Sequence, residues 1–349
     1  MKIKTTIFFF IILLISLVGY SQPGGNSTYQ FLNLPISARV TALGGNLLSV
    51  KDNDLNVALV NPSLLSDSMN NNVALSFINY IAGIKYGYVA YGKHFKRGGN
   101  FSAGLYYLDY GKMNRADNTG AVNGTFGANE MSFNLSYAHS VLDSNLAIGV
   151  DLKTIYSAMD VYTSLGTAID FGATYYNPKT NFGLAAVIKN VGTQWYSYDD
   201  ITKEKLSFEI QLGTSYKPKH VPVRISVEYQ NLERWDLTYQ DPLTPYPRDA
   251  NGEIIQPNKY KEFGDKLIRH IVVGGELIIT KNLFIRVGYN YKRREEYSSS
   301  VKPGEAGVSY GFGFRVYKFH FSYGRANYLM AGASNNFSIS FDINSFYSR

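Results

Sequence analysis

The chain has 349 residues, which suits one large domain or two small ones, and it contains no cysteine. Disulfide bonds, thiol catalysis and lipid attachment at an N-terminal cysteine are therefore excluded. The net charge is +7, but the lysine and arginine residues are scattered, which argues against a nucleic-acid partner. An acidic glycolipid of the cell envelope is a candidate surface partner for such a basic chain.

Residues 1–21 have the pattern of a secretory signal peptide. Lys2 and Lys4 form the charged start, the apolar stretch runs from Ile7 to Val18, and small residues precede Gln22. The alternative is a membrane anchor helix, for which this apolar stretch is short. We expect export to the cell envelope, which also argues against nucleic-acid binding.

Residues 22–72 differ from the rest of the chain because apolar and polar residues do not alternate regularly there. A helix-like stretch from Ser37 to Leu43 is stopped by two glycines. The pair Asn61-Pro62 then starts a turn, after which a short helix could open. This composition predicts a compact N-terminal extension.

From residue 73 onward, one alternating pattern returns about fourteen times, and no apolar run is long enough for a membrane helix. In one example, Leu283, Ile285, Val287, Tyr289 and Tyr291 fall on one face of a strand. Such strands, in a chain with 15% aromatic residues, predict an all-β fold, a transmembrane antiparallel β-barrel of about 14 strands. Residues 73–349 would form the barrel, and residues 22–72 would fold into its mouth or lumen as a plug. The predicted strands are 73–80, 85–94, 100–110, 129–138, 145–156, 165–176, 181–190, 206–216, 221–230, 269–280, 283–292, 306–316, 317–325 and 334–344.

The connections between these strands alternate in length. Even-numbered connections are short, such as Lys281-Asn282, and odd-numbered ones are mostly long, such as 111–128, 157–164, 191–205, 231–268, 293–305 and 326–333. Outer-membrane barrels have short periplasmic turns and longer outer loops. The alternation therefore predicts an outer-membrane barrel and its orientation.

Charged residues of both signs fall on the predicted inward faces. They are Asp151, Lys153, Asp170, Glu209, Arg224, Glu228, Arg286, Arg315 and Asp342. We interpret them as a network of salt bridges and waters in the lumen, with a solute path as the alternative. The mixture of signs argues against an ion-selective pore, which would favour one sign.

No motif in the sequence indicates catalysis. None of the five histidines pairs with another at the spacing of metal ligands, so we expect no metal, no cofactor and no catalytic residue. A hydrolase on the inward faces is the weaker alternative, and its candidate residues are His320, Ser322, Ser340 and Asp342.

The longest loop, 231–268, is rich in aromatic residues and proline. Loops this long without regular structure are usually functional or disordered, and aromatic and arginine side chains often anchor protein interfaces. We predict a partner-binding loop, with a lid over the barrel mouth as the alternative. The candidate residues are Arg234, Trp235, Tyr239, Tyr246, Arg248 and Tyr260.

The start of the predicted mature chain resembles a known family. Residues 24–35, GGNSTYQFLNLP, are followed by Ser37-Ala38-Arg39, by residues 42–45, ALGG, by residues 52–54, DND, and by Asn61-Pro62. This pattern resembles the PorQ family of the type IX secretion system of Bacteroidetes. Residues 42–45 and Asn61-Pro62 alone are also similar to PorV and the wider FadL-like barrels.

The resemblance implies a fourteen-strand FadL-like barrel in the outer membrane. It also implies a non-enzymatic anchor in the attachment complex with PorU and PorV, holding a surface protein resembling PorZ while cargo is joined to anionic lipopolysaccharide. The chain departs from many barrels because it does not end on an aromatic residue. The resemblance also gives loop 231–268 no counterpart from which a role could be inferred. The alternative function is a FadL-like channel for hydrophobic solutes.

Overall fold

The computed structural model describes residues 27–141, 145–199, 201–238, 258–297, 304–328 and 332–347. Fourteen antiparallel strands form a closed barrel in which the last strand pairs with the first. The predicted fold class is confirmed, and every predicted strand is present. The strands are β1 (Asn72–Asn79), β2 (Lys85–Phe95), β3 (Gly99–Ala116), β4 (Val122–Val141), β5 (Leu146–Met159), β6 (Tyr162–Asn177), β7 (Phe182–Tyr196), β8 (Glu209–Tyr216), β9 (Val223–Tyr229), β10 (Ile271–Thr280), β11 (Leu283–Asn290), β12 (Val308–Val316), β13 (Phe319–Tyr328) and β14 (Gly332–Asp342).

The alternation in sequence becomes an outward apolar face and an inward polar face. On β11, Ile285 and Val287 are 47% and 56% exposed on the outside, whereas Arg286 between them is 1% exposed. Successive side chains of a strand point to opposite faces, so one register places the apolar residues of β11 outward. Within the described ranges, no helix has the length and apolar character needed to cross a membrane.

The two ends of the barrel differ. At one end, which we call the turn end, β10 and β11 are joined by Lys281-Asn282 and β12 and β13 by Tyr317-Lys318. At the other, the loop end, the chain makes its longest connection, between β9 and β10. The predicted parity of short and long connections therefore holds at the turn end.

Several predicted loops at the loop end are wrong, because the strands continue into them. The predicted loop 111–128 is a hairpin formed by the ends of β3 and β4, and 157–164 is a hairpin of β5 and β6. Much of 191–205 and 326–333 likewise belongs to strands. Both faces of the β3–β4 hairpin are mostly exposed, so no apolar face is required there and no alternating signal appears in the sequence.

Strand β7 contains a kink that the sequence did not predict. Asn190 has a φ of 58°, and both Lys189 and Asn190 are buried, so the alternation changes phase at this point. Strand β8 begins opposite Lys189, and beyond it the wall gives way to a short parallel pairing of Ser27–Thr28 with Lys205–Leu206. The N-terminal segment thus takes part in the sheet structure at the loop end.

Residues 27–71 pass through the lumen and fill it, as the predicted plug requires. Helix α1 (Ala38–Ala42) begins at Ser37, whose hydroxyl accepts a hydrogen bond from the amide of Val40. The chain then turns at Gly44 and Gly45, whose φ values of 98° and 99° favour glycine. Apolar side chains of the plug, among them those of residues 47, 48, 55 and 64, form a buried core inside the barrel.

The wall lies so close to α1 that only glycine fits at some inward positions. A Cβ atom at Gly324 of β13 would overlap the carbonyl oxygen of Ala38, and one at Gly288 of β11 would overlap the backbone at Gly44. The inward glycines of these strands are therefore packing positions for the plug.

The described residues contain three further α-helices, which lie in two connections and after the last strand. Helix α2 (Lys259–Ile268) lies in the connection that was predicted to lack regular structure, and α3 (Tyr291–Tyr297) occupies the start of the predicted loop 293–305. Helix α4 (Asn344–Tyr347) follows β14 and contacts the turn end.

Candidate functional site

A network of six charged side chains joins the plug to the wall. Arg39 of α1 lies 2.7 Å from Asp52 and 3.2 Å from both Asp54 and Glu276 of β10. Glu276 also contacts Arg224 of β9 at 2.7 Å and Arg286 of β11 at 2.9 Å. Three arginines face three carboxylates, so the network is neutral by formal charge. The inward placement of Arg224 and Arg286 is thereby confirmed. Glu276 was not among the predicted inward charges, although it alternates with outward residues of β10.

A second group of inward charges lies near the kink in β7. Lys153 contacts Asp170 at 2.6 Å and donates to the side-chain oxygen of Asn190 at 2.8 Å. Asp151 accepts hydrogen bonds from Asn134 and Ser136. These buried ions are paired or hydrogen-bonded, as the predicted lumen network requires.

Glu228 and Glu209 are also inward and buried, as predicted. Glu228 accepts a hydrogen bond from the amide of Leu48 in the plug at 3.1 Å. Arg315 and Asp342 lie at the turn end, where the side chain of Arg315 is exposed rather than enclosed in the lumen. A wall residue at the end of a strand can alternate correctly and still face solvent.

A cavity of about 510 Å³ opens at the turn end, beneath the six-charge network. His320, Ser340 and Asp342 line it, but no hydrogen bond among the described residues links His320 to Ser322, Ser340 or Asp342. Ser322 instead accepts a hydrogen bond from Arg286 at 3.2 Å. The described residues contain no group of three or more side chains that could hold a metal ion. The geometry therefore gives the hydrolase alternative no support.

A second cavity, of about 200 Å³, lies between the plug and the wall near the loop end. Its lining includes Lys189, Glu209 and Gln211 from the wall, and apolar side chains of the plug such as Ile36. A third space, an apolar groove of about 730 Å³, is formed by outward side chains of β1, β12, β13 and β14, including Phe77 and Phe337. That groove faces away from the lumen.

At the loop end, three aromatic residues and one leucine form an exposed patch, which we call the loop-end patch. Its residues are Trp235, Tyr260, Phe263 and Leu267. The rings of Trp235 and Phe263 lie 5.3 Å apart, and both side chains are more than half exposed. Tyr260, Phe263 and Leu267 fall on one face of α2, because residues three and seven apart meet on a helix. The spacing of these three residues is the signal that could have predicted Phe263 and Leu267.

The predicted partner-binding residues are only partly brought together. Trp235 and Tyr260 belong to the loop-end patch, and Arg234 lies next to Trp235 in the chain. Tyr239, Tyr246 and Arg248 lie outside the described residues, so their role stays a prediction.

Ion pairs and a hydrogen bond join α2 to the segments beside it. Lys266 contacts Asp236 at 2.9 Å, whereas the pair of Arg269 with Asp265, at 2.8 Å, lies within one turn at the end of the helix. The hydroxyl of Tyr291 donates to Asp265 at 2.9 Å. Partial burial works against ionisation of Asp236, but hydrogen bonds from Thr238 and Lys266 prevail and lower its pKa to about 2. The patch therefore consists of one face of a structured helix together with Trp235 of the segment 231–238, whose ring packs against Phe263.

Solved structures with a similar fold are outer-membrane channels. The TodX deltaS2S3 mutant, a monoaromatic hydrocarbon channel, aligns with 87% of this chain and 98% of its own, at 11% identity and a TM-score of 0.53. A TodX deltaS2 mutant gives 12% identity and a TM-score of 0.51 over 88% and 97% of the two chains. The chain has a FadL-like barrel fold. The CymD monoaromatic hydrocarbon channel matches this fold as well, at 11% identity and a TM-score of 0.50, covering 88% and 97%.

At these identities the likeness establishes the fold alone. No family model and no curated protein matches the sequence.

Proposed function

We propose that this protein is an outer-membrane barrel that acts as a non-enzymatic anchor, holding a surface partner at its loop end. The resemblance of residues 24–62 to the PorQ family supports a place in the attachment complex of the type IX secretion system. In that setting the partner resembles PorZ, the complex includes PorU and PorV, and the lipid is anionic lipopolysaccharide. The loop end faces the outside of the cell in this proposal.

The observation that carries the proposal is the combination of a filled lumen and a structured aromatic patch outside it. The plug core and two sets of buried ion pairs occupy the interior of the barrel. Phe263, by contrast, stands exposed on α2, and Trp235 stands exposed beside it on the segment that the ion pair of Asp236 with Lys266 joins to this helix. Aromatic side chains that are held in place before binding lose little conformational entropy when a partner covers them.

The second candidate function is a FadL-like channel for hydrophobic solutes. The comparisons with TodX and CymD support this function more directly than the anchor, because the solved structures are described as hydrocarbon channels. Charged and amide side chains line both lumen cavities, and they count against an apolar path in the arrangement described. Channel function would require the plug to move.

The two functions are separated by one set of strains. A strain without the gene is complemented with the wild-type gene, with Trp235→Ala/Phe263→Ala, or with Tyr317→Ala, which removes an exposed aromatic residue at the turn end. The anchor proposal expects the strain without the gene to release the PorZ-like protein from the membrane fraction and to carry less type IX cargo at the surface. Of the three complemented strains, only the one with the double variant should show the same two defects. Normal retention of the partner and of cargo in the strain without the gene would contradict it.

Uptake is measured in the same strains with toluene and with a long-chain fatty acid. A channel would lose uptake in the strain without the gene and keep it in the double variant, because the loop-end patch is not part of the lumen. Loss of uptake together with normal surface attachment would favour the channel.

A further inference from the structure

The loop-end cavity of about 200 Å³ has two chemically different sides. Apolar side chains of the plug, including Leu32, Pro35 and Ile36, form one side. The wall contributes Lys189 from β7, and Glu209 and Gln211 from β8. A volume of this size equals that of about seven molecules of liquid water, so it suits one small solute.

Lys189 is a buried cation with no direct partner. Its side chain is 7% exposed, and it makes no hydrogen bond or ion pair with any residue that the structure describes. Glu209 is its register partner on β8, yet the two charged groups form no ion pair, and Glu209 accepts a hydrogen bond from the amide of Asn231 instead. A buried ammonium without a direct partner is costly. The carboxylates of Glu209, Asp170 and Asp151 offset part of this cost from a distance, and an anionic group beside Lys189 would offset more of it.

Two amide side chains around the same cavity are also incompletely satisfied. The Oε1 atom of Gln211 and the Nδ2 atom of Asn46 are buried without a hydrogen-bond partner in the described structure. Both residues line the cavity and are at most 5% exposed. Unpaired buried acceptors and donors are rare in folded proteins, and each needs a partner such as a water molecule, an ion or a ligand.

We infer that this cavity is a binding site for a small hydroxylated carboxylate of the sugar-acid class. Lys189 would hold the carboxylate, and the amides of Gln211 and Asn46 would exchange hydrogen bonds with hydroxyl groups. The apolar side of the plug would cover the C–H face of the solute. A hydrocarbon offers none of these polar groups, so this site differs in chemistry from that of a hydrophobic-solute channel.

Calorimetry on the full mature protein in detergent tests this assignment, with glucuronate, glucose and octanoate as probes. Glucuronate carries both a carboxylate and hydroxyl groups, whereas glucose lacks the first and octanoate lacks the second. We expect saturable binding of glucuronate that is at least tenfold tighter than that of either other probe. No saturable binding of glucuronate up to 10 mM (roughly −2.7 kcal/mol by the usual conversion) would overturn the inference.

Two variants locate the carboxylate. Lys189→Met should weaken glucuronate binding about tenfold or more and leave glucose binding unchanged, since it removes one charge-assisted hydrogen bond. Glu209→Gln should strengthen glucuronate binding, because it removes a like charge while keeping the shape. The matched control is Lys85→Met, which removes an exposed lysine of β2 and should change nothing.

The variants are checked for folding by circular dichroism and by mobility on unheated gels. Lys189→Met removes an uncompensated buried charge, so we expect it to fold. Equal glucuronate affinity in Lys189→Met, Glu209→Gln and Lys85→Met would contradict the site. Should Lys189→Met fail to fold, the change in affinity of Glu209→Gln decides the question.

Discussion

Replacing Glu276 by glutamine should loosen the plug more than any comparable surface change. Glu276 is 2% exposed and is the carboxylate that contacts Arg39, Arg224 and Arg286 together. The substitution keeps the volume but turns a neutral network of six charges into one with a surplus positive charge. Removing one partner of a buried ion pair typically costs about 3–5 kcal/mol, so we expect the unfolding free energy to fall by about 3 kcal/mol.

A second substitution tests whether charge is the cause. Arg286 has Glu276 as its carboxylate partner in the network, so Glu276→Gln/Arg286→Met restores the balance between Arg39 and Arg224 and the two aspartates. The double variant should therefore be more stable than Glu276→Gln alone. Residues that belong to one ion-pair network typically show interaction energies of about 0.5–3 kcal/mol when two of them are replaced together.

Guanidinium unfolding in lipid vesicles measures both values, together with protease cleavage within the plug. The surface control is Glu262→Gln, which breaks the exposed pair with Lys266 at 2.7 Å and should cost less than about 0.5 kcal/mol. If Glu276→Gln were no more destabilised than this control, or if the double variant were no more stable than Glu276→Gln alone, the network would not be what holds the plug.

Three further predictions concern the plug contact, the hairpin and the helix of the loop-end patch. Gly324→Ala should cost about 1–3 kcal/mol in the same unfolding assay because it forces α1 away from the wall, whereas Gly275→Ala, with its nearest neighbour 3.6 Å away, should be tolerated. Deleting residues 112–126 should leave a barrel that still migrates as folded on unheated gels, since that hairpin is mostly exposed, and loss of folded protein would refute this. Because the pKa of Asp236 is lowered to about 2, its pair with Lys266 contributes stability above about pH 4, and that contribution is lost as the pH falls towards 2. Fluorescence of the adjacent tryptophan should follow that loss, and it should stay constant over this range in Asp236→Asn.

The barrel could be predicted from sequence because a membrane wall imposes one physical rule on every strand. Outward side chains meet lipid and inward ones meet water, charges or the plug, so a period of two is visible wherever both conditions hold. The rule fails where one condition is missing. The β3–β4 hairpin extends past the apolar zone. Its residues from 112 to 126 show no such pattern, although most of them belong to strands.

The interior and the loop end were less predictable, because their partners are distant in sequence. Arg39 and Glu276 are 237 residues apart, and the residues around each of them in sequence carry no pattern that predicts the contact. The kink at Asn190 depends in the same way on contacts with Asn33 and Ser207. The exposed position of Phe263 beside Tyr260 and Leu267 is, by contrast, predictable from their helical spacing.

The plug segment enters the lumen at one end and leaves it at the other, and this constrains how the molecule is assembled. Ser27 pairs at the loop end, whereas Asn72 begins β1 at the turn end. The segment between them carries a buried apolar core and charged anchors, so it is too bulky to be threaded through a finished cylinder. We therefore expect the segment to pack against the nascent sheet before β14 pairs with β1 and closes the barrel. A peptide tag inserted beside Ser27 and another placed after Tyr347 would therefore report from opposite sides of the membrane.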